Sequence, residues 1–200
     1  MPNCRGTFYS ALRVFLRERF GPQAWEELLD YLETQDRAEV DSAVSIAWTD
    51  LYLRMRVAAV VVRKFGARLL DDDLVADDKR VWESGKALLM EFGRFEAEKD
   101  LTTTQRVFLR MANPAYVLEK AGQYWSRFYD WGGLRIERKS KTHAIATLLD
   151  SAVVDELFCI HFCAYVKRMF ELVGAKDVQV EHLECLAQGD SACVYDVQWR

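Results

Sequence analysis

Apolar positions in the first two-thirds of the chain recur at helical spacing. Phe8, Leu12, Phe15, Leu16 and Phe20 fall on one stripe of a segment that opens near Gly6-Thr7. Gly21-Pro22 breaks that segment, and Pro22 suits the first turn of a second helix with Trp25, Leu28, Leu29 and Leu32 on its buried face. A third helix is expected from about Ser42 to Phe65, with Ile46, Leu51, Leu53, Val57, Val60 and Val61 apolar and Gly66 as its stop. The acidic stretch that follows (Asp71, Asp72, Asp73, then Asp77 and Asp78) lacks the spacing and glycine placement of a calcium loop and reads as a solvated linker. Further helices are expected near 78–96 and near 103–112. Asn113-Pro114 then forms the cap and first-turn pair of a helix reaching about Tyr129, with Gly132-Gly133 ending it.

Beyond that point the period changes to two. Leu134, Ile136 and Arg138 alternate with Arg135 and Glu137, and a second strand runs from His143 to Leu149. Asp150 or Ser151 is placed to cap a long helix ending near Val173-Gly174. Two more strands, from Asp177 to about Leu186 and from Ala192 to Trp199, are joined by Gln188-Gly189-Asp190-Ser191. Helices, hairpin, helix, hairpin is an α+β order. It predicts a helical N-terminal two-thirds packed on an antiparallel sheet built from two hairpins separated by a long helix. With no internal repeat or linker evident, residues 1–200 read as a single domain.

Composition narrows the function. Half the residues are hydrophobic, which supports a core without disulfide or metal staples. A net charge of −4 argues against nucleic acid as a partner. Arg135, Arg138, Lys139 and Lys141 lie close together and read as charged guards on a solvated hairpin. No apolar run approaches the ~20 residues of a membrane span, and the N-terminus has no signal core. Five cysteines, an odd number, favour reduced thiols and a cytoplasmic setting.

Catalytic patterns are missing: the sequence has no glycine-rich phosphate loop, no H-E-x-x-H and no G-x-S-x-G. Cys159 and His161 stand two apart on a helix and point to different faces, a poor geometry for a dyad. The expectation is a binding protein rather than an enzyme.

The segment richest in chemistry is the last hairpin with the helix before it. Cys185 and Cys193 are symmetric about the Gly189 turn and would face each other across the ladder. His182 would point to the opposite face by strict alternation, so sharing a ligand with them requires a bulge between. Cys159 and Cys163 share one face of the preceding helix. A helix sulfur, a strand imidazole and two hairpin sulfurs make a Cys3His set suited to closed tetrahedral zinc. The same cysteines also fit as small buried hydrophobes, or Cys185 and Cys193 as a disulfide.

The pattern His182-x-x-Cys185-x3-Gly189-Asp190-x-x-Cys193-x-Tyr195-x-Val197-x-Trp199 resembles the C-terminal signature of the 4-vinyl reductase-type domain. That small-molecule-binding domain shares its fold with heme-NO-binding-associated and vesicle-tethering subunits. Gly6-Thr7-Phe8, Phe20-Gly21-Pro22 and Trp25 resemble the entry helices of its stand-alone myxobacterial paralogues. In the zinc-bearing sensors of this kind, a helix cysteine, a carboxylate and two hairpin cysteines hold the metal. The resemblance places these on Cys159, His182, Cys185 and Cys193, with histidine in the carboxylate position. It also implies an aromatic effector site, for which Trp125, Tyr129, Trp131, Phe158 and Phe162 are the candidates, and a homodimer. Tyr124-Trp125-Ser126-Arg127 is similar to the Tyr-x-Ser-x-Arg motif of heme nitric-oxide sensors, but its arginine falls one residue early, so no heme is expected. The reading is a stand-alone regulatory module that binds a small apolar or aromatic ligand, signals through a protein partner and carries a structural zinc. The alternative is a ligand-free scaffold.

Overall fold

The computed structural model describes residues 1–70, 77–103, 113–152 and 155–200. The expected 103–112 helix and Asp71, Asp72 and Asp73 fall largely or wholly outside them. The chain divides into two compact units, residues 3–92 and residues 93–200, and the division falls within a single helix. The α+β class is observed: helices lead, and antiparallel strands gather near the C-terminus.

In the first unit, β1 (Asn3–Arg5) pairs antiparallel with β2 (Trp48–Asp50). Around them lie α1 (Thr7–Phe20), α2 (Ala24–Asp30), α3 (Thr34–Ser42) and α4 (Leu51–Val60), the last continuing through a π-helical turn over Val61–Phe65. Helix α5 (Asp78–Thr103) begins in this unit and is longer than its spacing predicts. The expected stripes are buried: Phe8, Leu12, Phe15, Leu16, Trp25, Leu28 and Leu29 all lie in the core.

Two expectations are corrected here. The third helix does not start at Ser42. The chain turns extended at Ala43, pairs β2 with β1, and becomes helical again at Leu51. Asp50 is the cap, its carboxylate accepting from the Tyr52 amide at 3.0 Å, and Ile46 is 81% exposed rather than buried. A pairing across more than forty residues overrides local periodicity, which carries no trace of it. Gly66 is not a stop either. It keeps helical angles (φ −60, ψ −40), and a Cβ there would sit 2.7 Å from the Gly85 Cα. Its role is close backbone approach to α5.

The second unit contains the end of α5, then α6 (Pro114–Phe128), β3 (Gly133–Arg138), β4 (His143–Leu149), α7 (Glu156–Leu172), β5 (Gln179–Glu184) and β6 (Cys193–Gln198). The four strands form one antiparallel sheet in the order β3-β4-β6-β5, so the second hairpin joins the first through β6. Asn113 caps α6 as expected, its side chain accepting from the Tyr116 amide at 3.0 Å. The cap of α7 is Asp155, not Asp150 or Ser151. The Asp155 carboxylate accepts from the Leu157 amide at 2.8 Å, whereas Asp150 occupies a left-handed turn (φ 46) after β4.

Ala144, Ala146 and Leu148 on β4 alternate inward beside Val197, Tyr195 and Cys193 on β6. Helix α7 packs over β5 and β6, and α6 over β3. Among the described residues, no helix is long and apolar enough to cross a membrane.

Candidate functional site

Four donors converge between α7 and the last hairpin. Cys159 enters from the second turn of α7, Cys193 from the start of β6, and His182 and Cys185 from β5 and its end. The bulge this requires is present. His182 pairs with Tyr195 and Glu184 with Val194, so Leu183 is the extra residue, and its side chain is turned out to 53% exposure. The slip returns Cys185 to the side of the sheet that carries His182 and Cys193. The turn then fixes Cys185: its amide donates to the Asp190 carboxylate at 2.7 Å, and its carbonyl accepts from the amides of Gln188 and Asp190.

One ligand atom from each of Cys159, His182, Cys185 and Cys193 lies within 4.8 Å of the others. The Cys159 and Cys193 sulfurs are 3.7 Å apart. That is far from the ~2.05 Å of a disulfide. It matches the edge of a tetrahedron with ~2.3 Å zinc–sulfur bonds, about 3.8 Å. The three thiols are buried and His182 is half-buried. The His182 Nε2 is shielded and has no hydrogen-bond partner among the described residues. Burial lowers the pKa of His182, opposed by a hydrogen bond with the Glu184 backbone, and favours the neutral imidazole that binds metals. Burial likewise pushes the Cys159 thiol up, so it keeps its proton unless a cation displaces it. By donor type, spacing and enclosure, the set fits zinc. Cys163, a turn further along α7, lies outside the four, and burial raises its pKa to about 12.

The five aromatic candidates also come together. Trp125 and Tyr129 stack at 4.3 Å between centroids, and Trp131 meets Trp125 edge-on at 5.1 Å. Phe158 and Phe162 stand 6.2 Å apart on α7 and close the group, at 6.4 and 6.0 Å from Trp125. The Trp125 indole N–H donates to the Trp131 carbonyl at 2.8 Å. These rings pack on one another.

Two features escaped the sequence reading. Tyr195 bridges the two groups: its hydroxyl donates to Cys159 Sγ at 3.2 Å, and its ring meets Phe162. On another face of α7, His161 lies 3.0 Å from the Glu96 carboxylate, and the Tyr165 hydroxyl donates to Asp100 at 2.9 Å. The clue was available, since Glu96 and Asp100 continue the buried Leu89–Phe92 stripe of α5 at helical spacing. Cys159 and His161 do face apart, as their separation of two predicts.

No protein-family model and no curated protein matches the chain. Solved structures do. An H-NOX protein from Shewanella oneidensis in the Fe(II) state superposes with a TM-score of 0.70 at 13% identity, over 98% of this chain and 96% of that one. The fold is that of H-NOX domains. An oxygen-binding H-NOX domain related to soluble guanylate cyclases matches at TM-score 0.65 and 13% identity, over 98% and 95% of the two chains. A structure described for heme redox potential and porphyrin distortion matches at 0.62 and 13%, over 97% and 99%.

These matches correct the expectation that no heme is bound. The exclusion rested on Arg127 falling one residue early, and a fold kept at 13% identity does not keep motif spacing, so that displacement excludes nothing. Heme iron takes His, Cys, Met or Tyr. Here His143 lies 2.8 Å from Asp196, His161 beside Glu96, and His182 in the thiol set.

Proposed function

We propose that this chain is a small-molecule sensor module, not an enzyme, with a structural zinc on Cys159, His182, Cys185 and Cys193. The observation that carries the metal is the convergence of four donor atoms within 4.8 Å, three of them on buried cysteines. Bound there, zinc would tie α7 to the β5–β6 hairpin with no open coordination position. The hairpin signature's likeness to zinc-bearing 4-vinyl reductase-type sensors agrees with this donor set.

The sensor reading draws on the H-NOX fold, whose solved members include an oxygen complex and an NO-ligated state. The ligand proposed is small and apolar or planar, a porphyrin included, with Trp125, Tyr129, Trp131, Phe158 and Phe162 as its contacts. A protein partner and a homodimer complete the proposal as the route by which occupancy is read. The mutual ring contacts favour a second reading, a scaffold whose aromatic cluster is core alone.

Native mass spectrometry of protein prepared without chelator tests both. One zinc per chain and an added organic mass, in a dimer, support the proposal. Zinc without any ligand, and no Soret band on hemin titration, leave the scaffold. A metal-free mass that stays metal-free after zinc addition removes the metal site.

A further inference from the structure

We propose that Tyr195 is the positioning residue that joins the aromatic cluster to the metal site, tuning the Cys159 sulfur according to how the cluster is packed; this rests on the zinc reading above. Three contacts meet on this one side chain. Its hydroxyl donates to Cys159 Sγ at 3.2 Å. Its ring stacks on His182 at 4.8 Å and 13°. Its other neighbour is Phe162, edge-on at 5.0 Å, and Phe162 stacks in turn on Phe158 of the aromatic cluster. Tyr195 therefore touches two of the four donors and the last ring of the cluster. It is 1% exposed, two residues after Cys193 on the inward face of β6.

The chemistry follows from the hydrogen bond. With a cation bound, Cys159 is a thiolate, and a phenol O–H aimed at it makes a charge-assisted bond. Such a bond withdraws electron density from sulfur, so the sulfur gives less to the metal and its lone pairs lie lower in energy. Groups of this kind, one step removed from a metal, hold ligand orientation and tune the metal. Moving Phe162 tilts the phenol ring and lengthens the O–H···S contact. The cluster's packing is thereby read at the sulfur.

Cobalt(II) is the probe, titrated anaerobically into the full chain, with the sulfur-to-cobalt charge-transfer band as the readout. Wild type with no such band removes the zinc reading itself, and the Tyr195 proposal with it. With the band present, Tyr195→Phe is expected to bind one cobalt with about 10-fold lower affinity, because the hydroxyl no longer orients the Cys159 thiolate or stabilises it against its protonated form, which outweighs the stronger donation. Its band should move to longer wavelength as the sulfur lone pairs rise. Phe162→Leu keeps every ligand and the hydroxyl, and its band should shift the same way by less. An unshifted band in Tyr195→Phe overturns the proposal even if affinity falls, because packing loss alone would do that. A shift in Tyr195→Phe without one in Phe162→Leu also overturns it, since the hydroxyl would then act without the cluster. Should Tyr195→Phe lose its fold by circular dichroism, the Phe162→Leu band decides.

Discussion

Helix α7 presents two buried polar groups on different faces, and they are satisfied in opposite ways. Toward α5, the Tyr165 hydroxyl donates to Asp100 at 2.9 Å, and the His161 Nε2 lies 3.0 Å from the Glu96 carboxylate. Toward the sheet, one donor atom from each of Cys159, His182, Cys185 and Cys193 lies within 4.8 Å of the others, and the Cys159 thiol is 3.7 Å from the Cys193 sulfur. The Tyr195 hydroxyl donates to the first of them, Cys159. Paired groups close on themselves and make structure. Converging metal-ligating atoms are what the proposed zinc would bridge. Burial alone does not separate the two, because Cys159 and His161 are both almost fully covered.

The largest effect expected from this contrast is on the sheet side. Cys185→Ala should abolish zinc binding and lower Tm by on the order of 10 °C in zinc-replete buffer, from the linkage of metal binding to folding. Chelator should bring wild type down to the same Tm. Equal Tm and unchanged metal content by elemental analysis would erase the distinction between the faces.

On the α5 side, Glu96→Ala removes the carboxylate beside His161 and should cost about 1 to 3 kcal/mol in urea unfolding. Zinc stoichiometry should not change. Loss of zinc in this variant would mean that the two clusters act as one.

A smaller effect is a pH slope. Asp100 has its pKa raised to about 7, chiefly by burial, with the Glu96 charge adding and the Tyr165 hydroxyl opposing. The folded chain therefore holds a proton that the unfolded chain releases near the ordinary value of 3.8. Stability from this group is fullest below that value and is lost as pH rises toward and through about 7, by at most about 1.4 kcal/mol per pH unit. Asp100→Asn should flatten the slope between pH 4 and 7 in urea titrations. A slope that survives the substitution would assign it elsewhere. The smallest change expected is for Tyr165→Phe, about 1 kcal/mol from one lost hydrogen bond, with the Asp100 pKa moving higher still.

Much of this was legible before the fold. Caps such as Asn113, the helix-to-strand change after Tyr129 and the sulfur symmetry about Gly189 are local signals. The resemblance carried by the hairpin pattern named four side chains that the structure brings together. What stayed hidden was long-range. The β1–β2 pairing that exposes Ile46 has no local signature. The heme exclusion failed because it treated a missing local spacing as proof of a missing function, and the fold match does not depend on that spacing. Asp155 displaced Asp150 as the cap because Asp150 was taken up by a turn.

The sequence by itself determined the α+β order and the facing of Cys185 and Cys193 about Gly189, because periodicity and turn glycines act over a few residues. The family resemblance pointed to the five aromatic side chains and the four donors that the fold brings together. Only the tertiary structure decided that Leu183 bulges, that Tyr195 joins sulfur to ring, and that Glu96 and Asp100 meet α7. Those facts depend on which elements meet, and free energy of burial is shared among residues far apart in the chain.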